Sequence, residues 1–362
     1  MLLLAPFPAS AAAVSKSTAV LDAAARAELG REALGVLAGR ASDPDAEVRV
    51  AVAEAFAALG NRAAAGLLRA RLKDDNADAR VAAAAGLHRL GDVRGLTALI
   101  EETKPLSWGA AKSPADELRR MARDAARTRA VLRLGEAAGD LAKESLESAL
   151  RDPAGEVRDA AAVALGRLGR EDVLQPFLES LEDPDPEVRA YAAGRLGLVG
   201  RPGRERLIAA SVDVSTAVRA EAVLALGAFG DAQAVEAAVT ALRDKSGRVR
   251  LAAVRALARQ DAPASTAALK ALLDGAPPPE PALVAQAALA ARGEDTDLSL
   301  AELTMGQRDP DLRLLAVAAL AESRRPEALA LLTKAMREDG DGRVRARAAK
   351  AVISTLKRGE PR

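Results

Sequence analysis

The chain has 362 residues, of which 49% are apolar and 28% charged but only 2% aromatic, so its core must be built from aliphatic side chains. Its 52 basic and 51 acidic residues leave a formal net charge of +1, which supplies no overall drive towards nucleic acid or an anionic membrane. The absence of cysteine excludes disulfides, thiolate metal sites and cysteine nucleophiles.

Alanine, leucine and valine dominate, and nothing resembles the alternating valine, threonine and tyrosine of a strand, so the expected fold class is all-α. The first residues, Met1-Leu2-Leu3-Leu4-Ala5-Pro6-Phe7-Pro8-Ala9-Ser10-Ala11-Ala12-Ala13, form an apolar segment followed by small residues of the A-x-A type. That pattern reads as a secretory signal cut short; the competing reading is an alanine-rich tail. Residues 1–27 are therefore set apart as a signal-like or disordered segment. The export reading places the protein in the periplasm or cell envelope, the other in the cytoplasm. No later stretch approaches the roughly 18–20 apolar residues of a transmembrane helix.

From residue 28 to about 360 the chain repeats. Clear copies begin at Asp43-Pro44-Asp45-Ala46-Glu47-Val48-Arg49, Asp152-Pro153-Ala154-Gly155-Glu156-Val157-Arg158, Asp183-Pro184-Asp185-Pro186-Glu187-Val188-Arg189 and Asp309-Pro310-Asp311-Leu312-Arg313. An arginine recurs at 49, 80, 158, 189, 219, 250, 313 and 345, mostly in steps of 30 to 32. The step from Arg250 to Arg313 is two periods, with a degenerate copy near Ala282, and the step from Arg80 to Arg158 is two periods plus about 16 residues. In each copy the aspartate is expected to cap a helix and the proline to occupy its first position. A closing glycine, as at Gly60, Gly91, Gly135, Gly200 and Gly230, suits a left-handed helix end. A second amphipathic helix follows, as in Val173–Leu181 and Ala234–Leu242. About ten two-helix units stacked side by side predict an α-solenoid, a curved rod on the order of 80 to 100 Å long.

An insertion at about 101–114 interrupts the period and carries the single tryptophan, Trp108. Trp108 reads as a plug over the widened seam or as an anchor for a partner. Ser113-Pro114 then starts a helix rich in arginine at 119, 120, 123, 127, 129 and 133, whose neighbours Asp116, Glu117 and Asp124 make it a solvated charged face. Further on, Gly275-Ala276-Pro277-Pro278-Pro279-Glu280-Pro281 predicts a stiff variant turn rather than a recruitment site. Arg343, Arg345, Arg347, Lys350, Lys357 and Arg358 at the far end suit the charged outer face of a terminal unit.

The pattern D-P-x-x-x-V-R-x-x-A-x-x-A-L-x-x-L-G resembles the HEAT repeat, in the short variety of the phycobilisome lyase-like proteins. Such solenoids serve unrelated tasks, and the chain is expected to be a non-catalytic scaffold or adaptor that binds protein. Asp43, Arg49, Asp152, Arg158, Asp183, Arg189, Arg219, Arg250, Asp309, Arg313 and Arg345 are assigned to a structural ladder of forked arginine–aspartate bonds between units. Positions two, five and nine after the arginine, on the second helix of each unit, are expected to line the concave docking face. They include Arg89, Arg167, Tyr191, Glu221, Arg255, Arg259, Arg347 and Lys350, a mixed surface with a basic lean that suits a protein partner with an acidic surface. No nucleic-acid partner, cofactor, metal or catalytic residue is assigned. The resemblance also implies an enzyme alternative, a lyase-like or oxidoreductase-labelled protein or its accessory subunit. Deoxyhypusine hydroxylase-like relatives would need several His-Glu pairs, whereas the single histidine, His88, is followed by Arg89.

Overall fold

The structure is a computed structural model that describes residues 21–105, 113–200 and 203–358; the signal-like start of the chain and Trp108 lie outside the described residues. Among the described residues there are twenty α-helices and no strand. In chain order they are α1 (Ala23–Arg40), α2 (Ala46–Leu59), α3 (Ala65–Arg71), α4 (Ala77–Arg89), α5 (Val93–Thr103), α6 (Pro114–Ala138), α7 (Lys143–Ala149), α8 (Gly155–Arg167), α9 (Gln175–Ser180) and α10 (Pro186–Val199). The second half continues with α11 (Arg204–Ala210), α12 (Thr216–Leu226), α13 (Ala232–Ala241), α14 (Gly247–Arg259), α15 (Pro263–Asp274), α16 (Pro279–Ala291), α17 (Ser299–Met305), α18 (Pro310–Glu322), α19 (Pro326–Glu338) and α20 (Gly342–Arg358).

The even-numbered helices, from α2 to α20, stand side by side, each packed on the one before and the one after; odd-numbered helices lie outside them in the clefts. The row does not end. Helix α20 packs on α18 on one side and on α2 on the other, so the predicted open rod is closed into a ring. The closing unit is composite. Helix α20 supplies its inner half and α1, from the opposite end of the chain, its outer half, with Leu29, Ala33 and Leu37 of α1 buried in one core with Val344, Val352 and Leu356. Each such buried leucine is worth ~1.5–3 kcal/mol. Ten inner helices spaced ~8–10 Å apart put their axes roughly 13–16 Å from the centre and leave an opening about 15–20 Å wide.

At Asp43-Pro44 and Asp183-Pro184 the D-P signal sits two residues before the cap. Helix α2 starts at Ala46 with Asp45 as its cap, the Asp45 side chain accepting from the amide of Glu47. Asp43 instead accepts from the amide of Asp45 at 3.0 Å, shaping the turn that leads into the cap. Asp185 and Asp183 repeat the arrangement, whereas Asp309 is itself a cap and so corresponds to Asp45 rather than Asp43. Helical structure also begins at Ala23, not at 28, because Asp22 caps α1.

Gly60, Gly91 and Gly200 do take left-handed φ values at helix ends. Gly230 does not, and Gly135 lies inside α6, where a Cβ would stand 2.6 Å from that of Ala164 on α8. In that unit the left-handed end is Gly139, four residues later. Part of the extra length after Arg80 is therefore helix: α6 has 25 residues against 13 in α4 and α8, and it overhangs its neighbours.

Candidate functional site

One edge of the ring is tied by arginines. The Nη1 of Arg49 donates to the carbonyls of Asp43 and Pro44, while its Nε and Nη2 fork onto Asp74 in the next unit at 2.8 and 2.6 Å. Arg189 grips Asp213, Arg219 grips Asp244 and Arg313 grips Asp339 in the same way. Where the insertion removes the aspartate, Arg80 uses Glu102, and Arg127 of α6 then resumes the series on Asp152. Arg158, Arg250 and Arg345 bond only to carbonyl oxygens among the described residues. For Arg345 the aspartate of the next turn, Asp43, is held instead by Arg40 at 2.8 Å. Burial alone would raise the Asp74 carboxyl, but the hydrogen bonds from Arg49 and the Asn76 amide bring it down to about 2.

A second set of bonds identifies the inward face. Arg133 of α6 reaches past α4 to Glu54 of α2 at 2.7 Å, and two helices separated by a third can meet only on the concave side. The stripe that faces inward, with Glu54 five positions after Arg49 and Arg133 six after Arg127, thus comprises the residues two before and two, five, six and nine after the repeat arginine. Arg343 on α20 lies in this stripe and bridges Glu47 of α2 at 2.9 Å and Asp311 of α18 at 3.5 Å, across the closure. Around the wall Arg129 pairs with Asp78, Arg167 with Glu136, Arg248 with Glu221 and Arg255 with Glu280. Tyr191 donates to Asp159 at 2.6 Å and carries the Arg195 guanidinium 4.6 Å from its ring centroid. Burial, with Asp159 adding to it, raises the Tyr191 hydroxyl to about 12. Among the described residues Arg89, Arg259, Arg347 and Lys350 have no carboxylate or hydrogen-bond partner.

The family described as HEAT repeats matches residues 34–125, 103–197, 143–211, 204–290 and 298–362. The chain belongs to the HEAT-repeat family. No curated protein matches it. Among solved structures, an engineered protein is 18% identical over 91% of this chain and 99% of that one, with a TM-score of 0.32. Human deoxyhypusine hydroxylase in complex with glycerol is 21% identical over 73% and 96%, with a TM-score of 0.33. The complex of CpcE and CpcF of phycocyanin lyase from Nostoc is 24% identical over 63% and 97%, with a TM-score of 0.35.

In this HEAT-repeat ring the residues expected to line the concave face lie on the first helix of each unit, the one that carries the arginine, and not on the second. Arg89 is on α4, Arg167 on α8, Tyr191 on α10, Arg255 and Arg259 on α14, and Arg347 on α20. The basic helix α6 is only partly a solvated face. Arg119 and Arg120 pair locally with Asp116 and Glu117, whereas Arg123, Arg129 and Arg133 reach to α5, α4 and α2. The charges of α20 do not coat a terminal unit either, since Lys357 donates to the Leu59 carbonyl of α2 and Arg358 pairs with Glu322 of α18.

Sequence reasoning missed the opposite edge of the ring. There Gln260 donates to the Leu226 carbonyl and Arg292 to those of Leu257, Ala258 and Gln260, each satisfying the free end of the preceding inner helix. Their only signal was a polar residue recurring after the last turn of an inner helix. His88 is half-buried and bonds through Nε2 to the Ala137 carbonyl of α6 at 3.0 Å. Among the described residues no three histidine, aspartate or glutamate side chains converge in a metal-binding arrangement.

Proposed function

We propose that this HEAT-repeat protein is a non-catalytic scaffold whose partner, another polypeptide, docks on the inner wall of the ring. The observation that carries the reading is the contrast in how charges are used. Most wall arginines are committed to carboxylates on adjacent units, yet Arg89, Arg259, Arg347 and Lys350 are left without one among the described residues and point from the same stripe. Unmatched charge at the focus of a concave surface supplies attraction and steering for a partner of opposite sign. A photo-crosslinking residue placed at Lys350 tests it against one at Leu303, which is 67% exposed on the outer helix α17. A partner captured from Lys350 and not from Leu303 supports inner-wall docking; capture from Leu303 alone overturns it.

A further inference from the structure

The inner wall has two unlike sides, and they face each other. Helices α10 and α20 belong to units five apart in a ring of ten, so they lie on opposite sides of the opening. On α10 the inward stripe carries Tyr191 and Leu198, 39% and 38% exposed, on either side of Gly194. A Cβ at Gly194 would meet only Glu221 Oε2, at 3.4 Å, so the glycine leaves an open notch between the two apolar side chains. Arg195 holds the Tyr191 ring by stacking on it. On α20 the same stripe carries Arg343, Arg347 and Lys350. Arg343 takes three carboxylates, Glu47, Asp311 and Asp341, while Glu54 is held by Arg133 and Glu322 by Arg358. Arg347 and Lys350 themselves bond no carboxylate among the described residues, and so are the two cations on this side left to meet a partner.

We infer that the occupant of the opening is an amphipathic helical segment of another protein, acidic on one face and apolar on the other, threaded between the Tyr191–Leu198 notch and the Arg347–Lys350 pair. This rests on the scaffold reading above and adds the chemistry of the partner. An α-helix with its side chains is ~10–12 Å across and fits an opening about 15–20 Å wide, whereas a folded domain does not. Its carboxylates meet Arg347 and Lys350, and its aliphatic face covers the exposed tyrosine and leucine. A continuous polyanion such as single-stranded nucleic acid fits less well. It would run past Glu156, Glu187, Glu221 and Glu280 on α8, α10, α12 and α16, and of these only Glu221 and Glu280 are paired to an arginine among the described residues.

The experiment uses the full chain and fluorescein-labelled synthetic helical peptides of about 18 residues, long enough to cross the ring at ~1.5 Å per residue. One peptide carries leucine on one face and glutamate on the other, the second lysine in place of glutamate, and a 12-nucleotide single-stranded DNA is the third probe. Anisotropy titration is expected to give one glutamate-faced peptide per ring, bound at least about tenfold more tightly than the other two probes. The double variant Arg347→Glu with Lys350→Glu, still folded by circular dichroism, should reverse the preference between the peptides. Tyr191→Ala with Leu198→Ser should weaken both by about tenfold. Equal binding of the two peptides, tighter binding of the DNA, or an unreversed preference in the double variant overturns the inference. The scaffold reading is judged separately: a natural partner crosslinked from Lys350 that lacks an acidic amphipathic helix leaves that reading standing and removes this one.

Discussion

Arg337 and Glu32 stand 305 positions apart in the chain and are joined by two parallel hydrogen bonds, Nε and Nη2 each 2.7 Å from a carboxylate oxygen. The pair fastens α19 to α1 on the outside of the ring. Beside it Arg26 donates to the Leu356 carbonyl at 2.5 Å, so the first described helix is secured along much of its length to the last. Exposed pairs of this kind each contribute ~0–1 kcal/mol, and the clasp therefore depends on the apolar contacts beneath them.

Leu37 is the side chain on which the clasp turns, being fully buried between α20 and its neighbours. Leu37→Ala should lower the unfolding free energy by ~2–5 kcal/mol, as much as the same change at the mid-ring residue Leu226, measured by urea titration. In an open solenoid the end helix would detach alone, and the loss at Leu37 would be much the smaller. Joining Arg358 to Leu21 through a short flexible linker should raise the melting temperature, because it removes the entropy of closing the ring from the unfolded chain.

The arginine series makes the ring sensitive to acid. Asp74 has a folded value of about 2 against an ordinary 3.8, so its ionised form is favoured by folding. Its contribution is complete above about pH 4 and is lost as the pH falls towards 2; at ~1.4 kcal/mol per unit it amounts to ~2 kcal/mol. Asp213, Asp244 and Asp341 are lowered in the same direction by the arginines that grip them. Asp74→Asn should therefore cost about 2 kcal/mol at pH 7 and almost nothing at pH 2, read from urea unfolding at the two pH values. An equal cost at both would show that the bond is not ionic.

Two glycines on α10 separate packing from propensity. A Cβ at Gly197 would lie 2.6 Å from the Ala225 Cβ and 2.8 Å from its Cα, whereas Gly194 has room for one. Gly197→Ala should destabilise by ~1–2 kcal/mol, the overpacking of α10 on α12 exceeding the gain in helix propensity. Gly194→Ala should stabilise by ~0.5–1 kcal/mol by the same propensity, with thermal unfolding as the measurement.

The legible parts of the fold were those governed by neighbouring residues. Recurrence of the arginine in steps near 31 marked out the units, and the glycines at 60, 91 and 200 marked helix ends correctly. The errors arose where a distant partner decided the outcome. Gly135 looked like a helix end, but Ala164 on α8 required it inside α6. Arg127 looked like part of a solvated face, but it grips Asp152 and is one of the bonds between units. Of the candidate surface, the stripe positions were legible from periodicity, while the helix they belong to and the pairing of their charges were not.

The sequence by itself determined the module: a capped inner helix, a glycine-ended turn, an outer helix and the arginine that reaches into the next copy, because each of these depends on contacts within one or two units. Closure was decided only in three dimensions. Whether a tenth unit meets the first depends on the small rotation that each packed pair adds, and that rotation is set by side-chain volumes such as those at Gly135 and Gly197, summed around the whole row. Only when the sum completes a turn does α1 become the outer half of a unit begun by α20, and only then do Tyr191 and Arg347 face one another across an opening.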